Sequence, residues 1–163
     1  MSSLSSKIIH FKDITANQTL FRDKKTVLVG GCYDIFHYGH LTFLRKAKEY
    51  GDELIIALES DQFIKKNKKR TPVHNQTQRA EILASLSLID VVILLPFFAS
   101  YNQYEELVKL VKPEVVAITK GDIQLDNKEK QVTRYGGRVI EVTPLIKHYS
   151  SSTIIHDEII FGR

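Results

Sequence analysis

The chain has 163 residues, is 43% hydrophobic and 26% charged, and carries a formal charge of +4, which suits one ordinary globular domain. This charge favours a partner that carries phosphates, but it is too small to indicate nucleic acid by itself. The one cysteine, Cys32, excludes an internal disulfide framework. The serine-rich start, residues 1–6, does not resemble a secretory signal, and the most apolar stretch, residues 91–99, is too short to span a bilayer. We therefore expect a cytoplasmic protein with no membrane partner.

Short apolar runs alternate with helical patterns along the chain. The runs that predict strands are Thr26–Val29, Leu54–Leu58, Val91–Leu95, Val115–Ile118 and Val139–Val142. The patterns that predict helices are Tyr38–Tyr50, Gln76–Leu88, Tyr101–Val111, Asp126–Tyr135 and a last helix from about Ser152 to Ile159. Because the apolar runs are continuous, both faces of the sheet should be covered. The alternation predicts a single Rossmann-like α/β domain, a five-stranded parallel sheet with helices on both faces.

The segment Gly30–His40 (Gly-Gly-Cys-Tyr-Asp-Ile-Phe-His-Tyr-Gly-His) follows the first predicted strand and opens the first long helix. The glycine pair lets backbone amides approach a bulky anion. His37 and His40 are three residues apart across the helix start, so both rings can face one point. Gly39 leaves room for a phosphate at the helix N-terminus. Two such histidines could also bind a metal or lie on a helix surface, but their place after a strand and before a helix favours phosphate.

The pattern Gly31-Cys32-Tyr33-Asp34-X-X-His37-X-Gly39-His40 resembles the motif of the cytidylyltransferase-like nucleotidyltransferase superfamily. The resemblance extends from about residue 24 to residue 155, so residues 1–163 read as one domain with a core (24–155) and an N-terminal extension (1–23). Within the superfamily, the chain is most similar to the adenylyltransferase domain of heptose-phosphate kinase/adenylyltransferases, with glycerol-3-phosphate cytidylyltransferase close behind. The resemblance implies that all the named motif residues bind the nucleotide and that His37 and His40 are catalytic.

A basic run, Lys65–Arg70, follows the second predicted strand, and five of its six residues are cationic. Such a run is usually a solvated surface, but here it lies on the rim of the predicted crevice, where it could neutralise a leaving pyrophosphate. The resemblance places a lysine in this loop and an arginine on the following helix. It implies that Lys69 and Arg79 are catalytic and that Lys68 and Arg79 bind the substrate.

Two further segments match nucleotide-binding segments of the superfamily. Lys120-Gly121-Asp122 follows the fourth predicted strand and is similar to a Lys-Gly-Gly-Asp loop, one glycine shorter. Ser151, Ser152 and Thr153 precede the last predicted helix, where hydroxyls and free amides would form a second anion site. Glycerol-phosphate cytidylyltransferases carry an arginine shortly before this serine segment, and its replacement by Ile146 favours the heptose type.

The expected reaction is transfer of a nucleoside monophosphate from a triphosphate, ATP before CTP, to a phosphorylated sugar or polyol, with release of pyrophosphate. The acceptor phosphate is already ionised at neutral pH, so no general base is required, and catalysis would be positioning plus charge stabilisation. No protein-bound metal is expected, because Mg²⁺ arrives with the nucleotide; Asp34 could help to hold it or orient a histidine.

The expected partners are a nucleoside triphosphate and a phosphorylated small molecule, not nucleic acid, and a homodimer stays open. Two other classes of protein also stay open. One is a regulatory module that binds nucleotide without turnover, and the other is an RNA- or DNA-binding protein that uses the basic run.

Overall fold

The structure is a computed structural model and describes residues 4–144 and Ile154. Its six strands are β1 (Ile8–His10), β2 (Thr26–Gly31), β3 (Glu53–Leu58), β4 (Val91–Leu94), β5 (Val115–Thr119) and β6 (Arg138–Thr143). Its α-helices are α1 (Tyr38–Lys48), α2 (Asp61–Asn67), α3 (Gln76–Ala84), α4 (Tyr101–Val111) and α5 (Leu125–Arg134). Short 3₁₀ turns at Leu4–Lys7, Phe11–Asp13 and Thr15–Leu20 complete the N-terminal part.

All six strands pair in parallel, in the order β1-β4-β3-β2-β5-β6. The chain moves outward from β2 through β3 to β4 and then returns past β2 to place β5 and β6 on its other side. The strand order therefore reverses between β2 and β5. These two strands pair over Val27 and Leu28 with Val115 and Val116, so the sheet can open toward their carboxyl ends, where such folds bind ligands.

The Rossmann-like class is confirmed, but the prediction of five strands is short by one. Strand β1 lies in the segment that the sequence marks as an extension, and it pairs with β4 through Ile8 opposite Val92 and His10 opposite Leu94. Lys7 Nζ also donates a hydrogen bond of 2.8 Å to the carbonyl of Ile89. A strand of three residues is too short to be seen by periodicity.

Helices cover both faces of the sheet, as the continuous apolar runs predict. Along β3, Leu54, Ile56 and Leu58 pack in one buried cluster with residues of α1 and α3. The alternate residues Ile55 and Ala57 pack in a second cluster with residues of α4 and α5. Because successive side chains of a strand point to opposite faces, each strand must be apolar throughout.

Helix α2 is the second element that the sequence analysis did not predict. Ser60 caps it by accepting a hydrogen bond of 3.1 Å from the backbone N–H of Phe63, and Ile64 is fully buried. Lys65 and Lys66 therefore belong to the last turn of a helix. The helices predicted at Tyr38–Tyr50 and Gln76–Leu88 end earlier, as given above, and the last predicted helix lies outside the described residues apart from Ile154. Among the described helices, none is both long and apolar enough to cross a membrane.

Candidate active site

A cavity of about 800 Å³ opens at the carboxyl ends of the central strands, within the usual size range of small-molecule sites. Gly30 and Gly31 at the end of β2 contribute to its lining, together with Glu59 directly after β3 and Asp122 after β5. The cavity therefore lies at the reversal of strand order, where the topology predicts a ligand.

The two histidines of the motif stack on each other at the start of α1. Their ring centroids are 3.7 Å apart with an interplanar angle of 19°, and His40 lines the cavity. Nδ1 of His37 caps the helix by accepting a hydrogen bond of 3.3 Å from the backbone N–H of His40. A ring nitrogen that accepts carries no proton, so the neutral His37 ring has its proton on Nε2, where it can be donated to a ligand.

Burial lowers the pKa of both histidines. For His40 it lowers the pKa to about 3, with a further contribution from the neighbouring His37 and some opposition from the backbone of Ile35. The pKa of His37 is also lowered by burial. Both shifts favour the neutral ring at neutral pH, and a neutral ring has one N–H that it can donate to a phosphate oxygen.

The loop between β2 and α1 is shaped by Tyr33. Tyr33 is buried and has a φ of 47°, and its ring lies over Gly31, where an added Cβ would be 2.7 Å from the ring. Gly31 is thus required by the packing of Tyr33.

Cys32 lines the cavity beside Gly31 and Tyr33. Burial, together with the nearby charge of Glu59, raises the pKa of its thiol to about 11, so Cys32 stays protonated and is no nucleophile at neutral pH.

Asp34 anchors the loop that follows the basic run. Its carboxylate is buried, pairs with Arg70, and accepts hydrogen bonds from the backbone N–H groups of Val73 (2.9 Å) and His74 (3.1 Å). Burial by itself would raise the pKa of Asp34, but these hydrogen bonds outweigh it and lower the pKa. Both oxygens are engaged in fixing this loop, in place of the expected contact with a histidine or Mg²⁺.

Arg79 is also a buried anchor. Its guanidinium is fully buried and donates to the carbonyls of His74 (3.1 Å) and Cys32 (2.5 Å) and to the carboxylate of Asp61 (2.7 Å). Arg79 is not among the residues that line the cavity. The structure therefore does not bring it to the phosphate position that the sequence analysis expected, and it joins β2, α2 and the 70–74 loop instead.

The basic run contributes three residues to the cavity, Asn67 and two cations. Lys68 and Arg70 line it, whereas Lys69 does not and has a left-handed φ of 56°. Lys66 Nζ lies 4.4 Å from the ring centre of Phe97, at a distance typical of a cation–π contact. The structure thus favours Lys68 over its neighbour Lys69 as the lysine that meets a phosphate.

We expect trypsin to cut the ligand-free protein rapidly after Lys68 or Lys69, because both side chains are exposed and follow the end of α2. A triphosphate that engages Lys68 should slow this cut. The rate is measured by mass spectrometry of the fragments with and without saturating ATP and Mg²⁺. The double variant Lys68→Gln, Lys69→Gln is the control and should lose the nucleotide-sensitive cut. A run that resists trypsin from the outset would show a fixed surface that nucleotide does not order.

The segment after β5 contributes Asp122 to the cavity, while Lys120 and Gly121 do not line it. Gly121 has a φ of 82°, which a residue with a side chain rarely adopts. The carboxylate of Asp122 accepts hydrogen bonds from Lys128 Nζ (2.6 Å) and from the backbone N–H of Gln124 (2.7 Å).

Among the other predicted binding residues, Gly39 lies in the first turn of α1 outside the cavity lining. Ser151, Ser152 and Thr153 lie outside the described residues.

Several residues of the cavity were missed by the sequence analysis. One wall is aromatic and comes from α4 and the segment before it: Phe97, Phe98, Tyr101 and Tyr104. Lys128 of α5 and Glu59 also line the cavity. Glu59, Phe97 and Phe98 closely follow predicted strands, which was a usable signal, whereas Tyr101 and Tyr104 gave none because their direction depends on how α4 packs.

Glu59 should make stability depend on pH. Burial raises its pKa to about 7, against the opposing effects of Tyr104, Arg79 and Lys128. A carboxyl group with a raised folded-state pKa binds protons more tightly in the folded protein, so its contribution is complete below about pH 4.5 and is lost as the pH rises through 7. We expect the unfolding free energy of wild type, relative to Glu59→Gln, to fall by about 3 kcal/mol between pH 4.5 and 8. Urea unfolding of both proteins measures this, and a constant difference would contradict it.

Comparison with known proteins identifies the family. A cytidylyltransferase-like family model matches residues 28–157. Bifunctional protein HldE from Aliarcobacter butzleri is 44% identical over 102 residues, which make up 62% of this chain and 20% of that protein. FAD synthase from Thermococcus kodakarensis is 36% identical over 138 residues, or 81% of this chain and 89% of that protein.

Among solved structures, the lipopolysaccharide core biosynthesis protein from Thermoplasma volcanium superposes with a TM-score of 0.61 at 23% identity, covering 74% of this chain and 96% of that one. This likeness concerns the fold. The chain spans about a fifth of the length of the Aliarcobacter protein, so it corresponds to one part of that bifunctional relative.

The parallel sheet, the cavity at its reversal point and the paired neutral histidines define a nucleotide-binding α/β domain. The chain belongs to the cytidylyltransferase-like family and is a nucleotidyltransferase. The resemblance drawn from the motif at Gly31–His40 is thereby confirmed, and a nucleotide substrate follows from the family.

Proposed function

We propose that this nucleotidyltransferase moves AMP from ATP to a phosphorylated sugar or polyol, with heptose 1-phosphate as the model acceptor. The observation that carries the proposal is the stacked His37–His40 pair, of which His40 lines a cavity that Gly31, Lys68 and Lys128 also line. The histidines can donate hydrogen bonds to the α-phosphate, and the lysines can neutralise the other phosphates. This arrangement suits a triphosphate, because charge develops on both the α-phosphate and the leaving pyrophosphate during transfer.

In the proposed reaction an oxygen of the acceptor phosphate attacks the α-phosphorus in line. The new phosphorus–oxygen bond forms as the bond to the β-phosphate oxygen breaks, and pyrophosphate leaves with that electron pair. His40, with its neighbour His37, donates hydrogen bonds to the α-phosphate, while Lys68 and Arg70 neutralise the leaving group. Mg²⁺ enters as part of the MgATP substrate. CTP is the alternative donor, as in glycerol-3-phosphate cytidylyltransferases.

A second candidate acceptor is flavin mononucleotide. The aromatic wall formed by Phe97, Phe98, Tyr101 and Tyr104 could stack on a flat ring system. The Thermococcus relative named FAD synthase matches over 89% of its length, which supports this candidate. Both acceptors would react through a phosphate oxygen, so the two candidates share one mechanism and differ in the rest of the acceptor.

The test is a matrix of the four ribonucleoside triphosphates against heptose 1-phosphate, glycerol 3-phosphate and flavin mononucleotide, read by pyrophosphate release and product mass. We expect ATP with heptose 1-phosphate to be the most active pair. FAD formation would select the second candidate, and a preference for CTP with glycerol 3-phosphate would select the cytidylyltransferase. Absence of pyrophosphate in every combination would contradict the proposal.

A further inference from the structure

The carboxyl group of Glu59 is buried in the cavity and only half satisfied. The residue is 7% exposed and lines the cavity. Its Oε1 accepts a hydrogen bond of 2.8 Å from the hydroxyl of Tyr104, while its Oε2 is buried with no hydrogen-bond partner among the described residues. A buried polar atom without a partner is costly. This cost is removed if a bound ligand supplies a donor to Oε2.

The backbone fixes Glu59 next to the phosphate-binding motif. Its N–H donates a hydrogen bond of 3.0 Å to the carbonyl of Gly31, and the hydroxyl of Tyr104, on α4, holds the side chain. The carboxyl group is therefore pre-positioned close to the glycine and histidine motif. A group held by two separate elements can select among ligands, because it cannot easily move to suit a poor one.

The position of Glu59 within the sheet indicates which part of the reactants it meets. The strand order reverses between β2 and β5, and this is where a doubly wound sheet holds a nucleotide. Glu59 follows β3, on the other side of β2. A nucleotide held at the reversal point would leave the part of the cavity beyond β2, which Glu59 lines, to the acceptor.

The charge of Glu59 restricts the chemistry of its ligand. A carboxylate repels phosphate, so the phosphate of the acceptor should lie away from Oε2, toward the histidines. Burial disfavours the ionised form of Glu59 and raises its pKa to about 7, while Tyr104, Arg79 and Lys128 favour the ionised form. The phosphorylated sugar or polyol proposed as the acceptor carries no cationic group, so the donors that it offers to Oε2 are its hydroxyl groups.

We propose that Glu59 is a specificity-determining residue whose Oε2 accepts a hydrogen bond from a hydroxyl group of the phosphorylated acceptor, while Tyr104 positions its other oxygen. This inference rests on the proposed function and adds to it a contact that selects a polyhydroxylated acceptor. A site built around a hydrogen bond rejects analogues that lack the hydroxyl, because the buried oxygen is then left unpaired.

The test compares wild type with Glu59→Gln, a near-isosteric change that removes the charge, under separate variation of acceptor and ATP. We expect kcat/KM for the acceptor to fall by about tenfold or more, with the KM for ATP changed less than twofold. Tyr104→Phe removes the hydrogen bond to Oε1 but keeps the carboxyl group of Glu59, so it should produce a smaller fall in kcat/KM for the acceptor. Unchanged acceptor kinetics, or an effect confined to ATP, would overturn the inference.

Deoxy analogues of the acceptor provide a readout that does not depend on how well the variant folds. Wild type should lose about tenfold or more in kcat/KM when the recognised hydroxyl is absent, while Glu59→Gln should lose little further. Equal losses in both proteins would overturn the role of Glu59 and leave the proposed function standing. No pyrophosphate release by wild type with any phosphorylated sugar or polyol would overturn both.

Discussion

Replacing His40 by alanine is expected to lower kcat by about 10²–10³-fold while leaving the protein folded. The ring lines the cavity next to Gly31 and Tyr33 and is neutral, because burial lowers its pKa to about 3. Its contribution is thus a hydrogen bond that strengthens as charge develops on the phosphate. Steady-state kinetics with the most active substrate pair measures the effect, and urea unfolding checks the fold.

His37→Asn is the matched control for this prediction. Asparagine is a good helix N-cap, so it can replace the cap that Nδ1 of His37 provides to the N–H of His40. The variant should keep its stability and still lose most of its turnover if the ring acts on phosphate. A fall in kcat of less than tenfold for His40→Ala would contradict a transition-state role.

The central strands could be predicted from the sequence because burial on both faces of the sheet requires a continuous run of apolar residues. Every residue from Leu54 to Leu58 is buried, so the run is apolar throughout and cannot be confused with a surface segment. Strand β1 has three residues and one buried side chain, so it gives no apolar run that the sequence analysis could detect. Helix α2 was missed because a run of cations hides the one residue, Ile64, that fastens it to the core.

The site was predictable where backbone and motif define it and not where the role depends on packing. His40 and Gly31 were found because their spacing places them at a strand end. Asp34 and Arg79 were also found, but the same residue types serve phosphate binding and buried ion pairing, and only the contacts of the folded chain separate the two. Glu59 had a positional signal, since it follows a strand, but the hydrogen bond from Tyr104 that holds its carboxyl group could be found only in the folded chain.

Replacing Arg79 by alanine is expected to lower the free energy of unfolding by about 3 kcal/mol or more. The change removes three hydrogen bonds and a fully buried side chain, and it leaves the carbonyls of Cys32 and His74 without their donor. Arg79→Lys should recover only part of the loss, because one ammonium group cannot reach three acceptors in a fixed fork. Urea unfolding at neutral pH measures both variants.

Asp61→Asn is the matched control, because the Asp61 side chain is one-third exposed and its loss leaves the other two hydrogen bonds of Arg79 in place. Its expected cost is smaller than that of Arg79→Ala, because the amide oxygen of asparagine can still accept a hydrogen bond from the guanidinium. The loops that Arg79 joins carry Cys32 and Arg70 into the cavity, so kcat/KM should fall for Arg79→Ala as well, with the preference for the base unchanged. Comparing the loss of unfolding free energy with the loss of kcat/KM for Arg79→Ala separates a role as a buried anchor from a role in binding phosphate. A variant that keeps nearly wild-type stability and still binds phosphorylated ligands weakly would show that Arg79 meets the phosphate directly, because a buried anchor cannot be removed without loosening the fold it holds.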